Sequence, residues 1–381
     1  MKITNVITYL TREGNSASVF IKIETDDGII GYGESTIHFF PQAAYGMLQD
    51  LKPYLIGQDP QRIEYLWQMC FRRLFMRGGP VTGAAISGID MALWDIKGKA
   101  LNVPVYQLLG GLARDKVRLY GHVSGHSADE IADLAKQRAD RGLTAIRFRG
   151  LQAYDAQDLH DHQTAVDQQV EFTAAIREAI GPKINILIEC HGRYDPEWVI
   201  QLANRVKPYK PFFIEDPIRH ENPSAMAEVR DKIDIPLAAG ERYHSKWEFR
   251  ELIQNRYVNY VRPDVCHCGG ITELMKIAAN AETHYVNVVP HNNAGPLGSA
   301  ASLHASLAIA NLELMEAPFA NRDATHSNIC GPFPKVENGY ALPLEGPGLG
   351  IEFDEEAAAN TPFEPKKMPN LNAIDGAVRD W

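Results

Sequence analysis

The chain opens on alternation. Lys2–Leu10 and Ala17–Thr25 alternate apolar and polar positions, as half-buried strands do, and Asp26-Asp27-Gly28 turns the chain back into Ile29–Glu34. Helical periodicity follows over Gln42–Leu55, Gln61–Arg73 and Ala84–Ala100, the last carrying the small residues Ser87, Gly88 and Ala92 that suit close helix packing. These elements predict a small α+β unit over residues 1–115.

From Val117 the pattern becomes strand, helix, strand, repeated. Strand-like apolar runs fall at Val117–Val123, Ala145–Arg149, Ile184–Cys190, Pro211–Glu215, Pro236–Glu241, Tyr257–Asp264, Tyr285–His291 and Leu312–Pro318. Helical segments between them include Ser127–Arg141, Gln169–Ala179, Pro196–Val206 and Ile271–Glu282. Units about 25 residues apart predict a closed barrel of parallel strands over 116–333, since the first strand lacks the glycine fingerprint of a doubly wound sheet. Leu151–Gln168 reads as a long loop, a lid or an oligomer contact. The Pro-, Asn- and Glu-rich stretch 334–381 is expected to return to the first unit.

Composition narrows the class. With 381 residues, 45% hydrophobic and 23% charged, the chain is globular and long enough for a barrel plus a smaller unit. A net charge of −10 and a pI near 5.7 argue against nucleic acid as a partner, and no apolar run reaches membrane-spanning length. MKITNVITYLT lacks the apolar core of a signal peptide. The cysteines 70, 190, 266, 268 and 330 are scattered and odd in number, which predicts a reduced, cytoplasmic chain. Cys266-His267-Cys268 lacks a second ligand pair at zinc spacing.

The candidate chemistry lies at the strand ends, which converge on one mouth of a barrel. The third to eighth strands end at Glu189, Glu215, Glu241, Asp264, His291 and Glu316. Any one of these acids has an ordinary alternative as a helix cap, but six consecutive ends of this kind point to a site. Glu189, Glu215 and Glu241 recur about 26 residues apart, one strand-helix period each. Three carboxylates so close would repel one another without a cation, and all-oxygen ligation favours Mg²⁺. Asp264 beside His291 predicts an imidazole base fixed in one tautomer, and His191 projects near the metal from the third strand. His160, His162, His244 and His284 have no comparable context and are expected to be structural or solvent-exposed.

The motifs GIIGYGES, SGIDMALWDIKGKALNVPVYQLLGG, IEDP, AAGERY, RPDVCHCGGITE, PHNNAGPLGSAA and DGAVRDW run along nearly the whole chain. Together they resemble the enolase superfamily in its mandelate racemase-like branch. The resemblance implies a modified (β/α)₇β TIM-type barrel under an α+β capping domain, assembled as dimers or octamers. It implies Mg²⁺ on Glu189, Glu215 and Glu241, and a base formed by His291 and Asp264. Glu189-Cys190-His191-Gly192-Arg193 resembles the third strand of sugar-acid dehydratases of the galactonate dehydratase type, which implies that His191 is the acid for a departing 3-hydroxyl. Two departures stand out. Relatives usually place Asp where this chain has Glu189, and racemases place Lys-x-Lys where it has Arg147-Phe148-Arg149.

The implied reaction removes the C2 proton of an aldonate or aldarate and expels the 3-hydroxyl, giving a 2-keto-3-deoxy acid. Arg147 and Arg149 are expected on substrate oxygens unless they form ion pairs within the mouth, and Glu316 would hydrogen-bond the substrate carboxylate if protonated. The pocket is expected to be lined by capping loops Thr11–Ser18 and Arg72–Val81. Tyr154 paired with Arg147 would supply a second base, which keeps an epimerase, racemase or cycloisomerase as the alternative. A non-catalytic metal-binding barrel is a third reading, disfavoured because no metal or base position is apolar.

Overall fold

The computed structural model describes residues 1–13, 16–149, 161–321, 327–366 and 371–380. Strands β1 (Ile3–Glu13), β2 (Ser16–Thr25) and β3 (Ile30–Glu34) form an antiparallel meander, with Tyr9 opposite Phe20 and Phe20 opposite Glu34. Three helices, α1 (Pro41–Leu55), α2 (Ile63–Arg72) and α3 (Pro80–Leu101), cover it and share its apolar core. The small residues of α3 matter because β3 lies almost on its backbone. A Cβ at Gly33 would stand 2.0 Å from the Gly88 carbonyl oxygen. A short helix, α4 (Val105–Leu108), leads to the barrel.

The barrel follows in alternating units: β4 (Val117–Val123), α5 (Ala128–Asp140), β5 (Ala145–Arg149), α6 (His162–Ile180), β6 (Asn185–Glu189), α7 (Pro196–Val206), β7 (Phe213–Glu215) and α8 (Ala225–Lys232). It continues through β8 (Leu237–Ala239), α9 (Lys246–Gln254), β9 (Tyr260–Val261), α10 (Gly270–Glu282), β10 (Asn287–Val288), α11 (Pro296–Ala308) and β11 (Met315–Glu316). Parallel pairing runs from β10 back to β4, β11 pairs with β4, and a bridge from Val288 to Leu312 closes the ring. Among the described residues, β11 is followed by a 3₁₀ turn, Pro318–Asn321, in place of an eighth barrel helix, so the architecture is the expected (β/α)₇β barrel. Helix α6 begins earlier than its periodicity suggests. The Asp161 carboxylate accepts from the Thr164 backbone N–H at 2.8 Å and caps it there, so 162–168 is helical and not loop.

Two apolar layers organise the barrel. One lies between the strands and the surrounding helices and includes Ile146, Phe148, Ile186, Ile188 and Ile214. The other fills the interior with Tyr120, Ala145, Leu187, Phe213, Ala238, Val289 and Leu314. Strand period two then places the mouth: His122, Arg147, Glu189, Glu215, His291 and Glu316 each stand two residues beyond an interior-layer residue. On β8 the offset is three, from Ala238 to Glu241, and the positive φ of Gly240 (140°) makes the adjustment. A side chain at Gly240 would meet Phe249 at 2.5 Å and the Arg262 nitrogen at 2.9 Å.

The capping unit is bolted to the barrel by polar bonds. Glu34 accepts from the Gly295 and Gly298 backbone N–H groups at 2.9 Å each, Asp90 from the Thr272 N–H at 3.0 Å, and Asp95 from the Leu349 N–H at 2.9 Å. From the C-terminal stretch, Phe353 packs on Tyr9, Phe20 and Tyr32, while Glu355 meets Lys22 and the Tyr32 hydroxyl at 2.8 Å. All five cysteines are buried free thiols. Among the described residues, no helix is long and apolar enough to cross a membrane.

Candidate active site

The register of the barrel assembles the site. Arg149, Glu189 and Glu215 are rung partners across β5, β6 and β7, so the first two carboxylates point side by side into the mouth. Glu241 joins them, and one oxygen from each of the three lies within 4.8 Å of the others. Asp264 and His291 are likewise bridge partners, and the Asp264 Oδ2 to His291 Nδ1 distance is 2.5 Å. His191 sits in a left-handed turn (φ 57°), its backbone N–H donating to Glu189 Oε1 at 2.6 Å and its carbonyl accepting from Arg242 at 2.5 Å. Its Nε2 is 3.7 Å from Glu241 Oε1, while His291 Nε2 is 3.5 Å from Glu241 Oε2. Both imidazoles therefore flank the same carboxylate.

The charges are satisfied unevenly. Arg262 is fully buried and donates to Glu316 Oε2 at 2.7 Å, with Glu215 Oε1 equally close. Arg147 pairs with Glu189 and with Glu215 Oε1 at 3.1 Å. Glu215 Oε2 and Glu241 Oε2 are buried yet accept no hydrogen bond from the described residues. A buried carboxylate oxygen without a donor is costly, and burial accordingly pushes the Glu215 carboxyl well above its usual range. A hard divalent cation with oxygen ligands fits those orphaned atoms, so the donor set suits Mg²⁺.

Two expectations change in the folded site. Although burial opposes its ionisation, Glu316 is held well below the usual carboxylate range by His291, Arg262 and Arg147. Those neighbours disfavour the protonated form on which its hydrogen bond to a substrate carboxylate depended, and its Oε1 lies 2.6 Å from His122 Nε2. Burial also pushes His191 down to about 4, against Glu189 and Glu241, so it is neutral at pH 7 and not the expected imidazolium. His291 goes the other way: burial is outweighed by Glu316, Glu241 and Asp264, which raise it to about 9.

The mouth opens into a cavity of about 520 Å³ lined by Arg147, Arg149, His191, Glu241, His291 and Glu316 among others. Arg147 is thus both an ion-pair partner and a lining group. Tyr154 lies outside the described residues. From the capping unit the wall is Ile37–Phe40 together with Pro80. The Arg72–Val81 loop therefore contributes as expected through Pro80, whereas Glu13, Ser16, Ala17 and Ser18 line a separate cavity. Sequence reasoning passed over His38, His122, Arg262, His267 and Asn293. It also left His244 without a role, although His244 lines the pocket with its ring 6.4 Å from that of His267. His162 stacks on Trp198 and His284 faces the Asn280 carbonyl, both away from the mouth, and His160 is outside the described residues.

Residues 4–110 match the family model of the mandelate racemase/muconate lactonizing enzyme N-terminal domain, and residues 130–357 match the enolase C-terminal domain-like family. The chain belongs to the enolase superfamily. Within it, this member is 38% identical to a D-galactonate dehydratase from Verminephrobacter eiseniae and 38% identical to another from Pectobacterium atrosepticum, each alignment covering 100% of both chains. Among solved structures it is similar to an enolase from Pantoea ananatis with bound D-gluconate and Mg, at 33% identity, 100% and 99% coverage and a TM-score of 0.92. An enolase from Agrobacterium radiobacter with bound Na and L-malate gives 30% identity, 100% coverage of both chains and a TM-score of 0.92.

Proposed function

We propose that this superfamily member is a Mg²⁺-dependent sugar-acid dehydratase. The observation that carries the reading is one mouth in which a buried carboxylate triad with two donorless oxygens faces a histidine oriented by Asp264. The full-length likeness to D-galactonate dehydratases supports the same reading. Glu189, Glu215 and Glu241 would hold the metal, whose charge, when bound, stabilises negative charge on the substrate carboxylate as C2 loses its proton. His291 takes that proton on Nε2, because Asp264 occupies Nδ1, once a cation on Glu241 has offset part of the charge that favours its protonated ring. The 3-hydroxyl leaves as water and the enol tautomerises to the 2-keto-3-deoxy acid.

The origin of the proton on the departing hydroxyl separates two versions. In the first, His191 becomes charged when the anionic substrate binds and then serves as the acid. The low pKa of His191 favours a second, in which His291 passes the proton it has just taken to the hydroxyl on the same face. A His191→Asn variant that retains dehydration supports the second, and one that loses it supports the first. Racemisation fits less well, because β5 offers Arg147 and Arg149 and a guanidinium does not deprotonate.

Screening aldonic and aldaric acids with Mg²⁺ for keto-acid release tests the function. In D₂O a dehydratase yields keto-acid, whereas recovery of labelled, unconsumed substrate would overturn the reading in favour of an epimerase or racemase. The buried free thiols support a cytoplasmic location. We also propose a homo-oligomer, dimer or octamer, to be measured by light scattering.

A further inference from the structure

Behind the substrate cavity lies a second one, of about 260 Å³, between the capping meander and the loop after β10. Two residues line both cavities, His38 and Asn293. They are bonded to each other across 255 positions of chain, Asn293 Nδ2 donating to His38 Nε2 at 2.9 Å. One comes from the capping unit and the other from the barrel, two residues past the base His291. Among the described residues, the wall common to the two chambers is this hydrogen-bonded pair.

An acid whose carboxylate is held on the floor of the mouth must send its far end toward the roof. That roof is made by Ile37–Phe40 and Pro80, with His38 among them. The chamber beyond is polar and suits hydroxyl groups: Glu13, Ser16, Ser18, Thr36, Ser327 and Asn328 line it beside Phe20 and Phe319, with Glu13 accepting from the Ser327 hydroxyl and the Asn328 N–H. We propose that the His38–Asn293 pair sets the chain length of the sugar acid, by separating the substrate chamber from a second polar chamber that receives carbons beyond the sixth.

This inference rests on the sugar-acid reading, so its test must separate the two. Gluconate and the seven-carbon glucoheptonate are offered to the Mg²⁺-loaded wild type, His38→Ala, His38→Gln and Asn293→Ala. Both kcat/KM and calorimetric binding constants are recorded for each acid. Opening the boundary raises the heptonate-to-hexonate ratio about 10-fold or more in the two Ala variants, the scale on which a pocket discriminates one carbon unit. His38→Gln, which keeps an acceptor for Asn293, stays near the wild-type ratio. A ratio unmoved in both Ala variants, or moved equally by His38→Gln, overturns the proposal. If no form turns over either acid, the dehydratase reading is decided by the wider acid screen, and the binding ratios alone decide for or against the partition.

Discussion

The two halves of the barrel mouth carry similar acids and satisfy them in opposite ways. On the β9–β11 side every carboxylate oxygen has a partner. Asp264 takes His291 and the Cys266 N–H, while Glu316 takes Arg262, the Asn292 N–H and a close contact with His122. On the β6–β8 side Glu215 and Glu241 each keep one oxygen without a donor, because the arginines in reach, Arg147, Arg262 and Arg242, face Glu189 and the Oε1 atoms of Glu215 and Glu241. One half is a finished ion-pair network that fixes geometry. The other is an unfinished one whose missing charge must arrive from outside. The difference teaches where to look for a ligand: buried acids alone do not mark a metal site, but the shortfall of donors among them does.

The strongest way to break this contrast is at the base. His291→Asn should lower turnover of any accepted sugar acid by about 10²–10⁴-fold while calorimetric Mg²⁺ binding persists, and intact turnover would remove His291 from the mechanism. On the finished side, Arg262→Ala leaves Glu215 and Glu316 buried against an empty space. It should cost about 3–5 kcal/mol in denaturant unfolding, measured with Mg²⁺ absent so that metal linkage does not mask it. On the unfinished side, Glu215→Gln should weaken Mg²⁺ by about 100-fold or more in titration calorimetry, beyond what loss of a supporting contact costs. The smallest effect is also the most discriminating. Without metal the His291 ring should titrate near pH 9 by NMR, protonated below and neutral above. Mg²⁺ should move that midpoint down, because a cation on Glu241 offsets one of the charges that raise it. The base would then become competent at a lower pH, and an unmoved midpoint would place the metal elsewhere.

Much of this contrast was legible in the sequence, and its gaps have physical reasons. The strand ends from Glu189 to Glu316 stood out because each closes an apolar run, and period two aims most of them inward, with Gly240 adjusting Glu241. Arg262 carried the same signal, two positions before Asp264 and therefore on the same face, but a charge inside an apolar run reads as an outward residue until its partners are known. His122 was missed because it ends the first strand, ahead of the ladder of acids. The ionisation states of Glu316 and His191 could not be read from residue type, since they follow from which neighbours burial brings within reach. His38 and Asn293 lie in irregular loops whose meeting across two units leaves no periodic trace. The departure of Glu189 for Asp is accommodated: the extra methylene lets one oxygen curl back to the His191 N–H while the side chain still reaches the triad.

The polar bolts between capping unit and barrel have a mechanical consequence. Glu34, Asp90 and Asp95 each reach from the first hundred residues to backbone donors far along the chain, and each is buried. Separating the capping unit from the barrel would break the Glu34 and Asp90 attachments together, along with the seat of Trp67 on the Gly269 carbonyl. The unit that looks independent in sequence is therefore not free to swing as a lid. Heat should likewise melt the chain in one calorimetric transition, with no stage in which the barrel survives its cap.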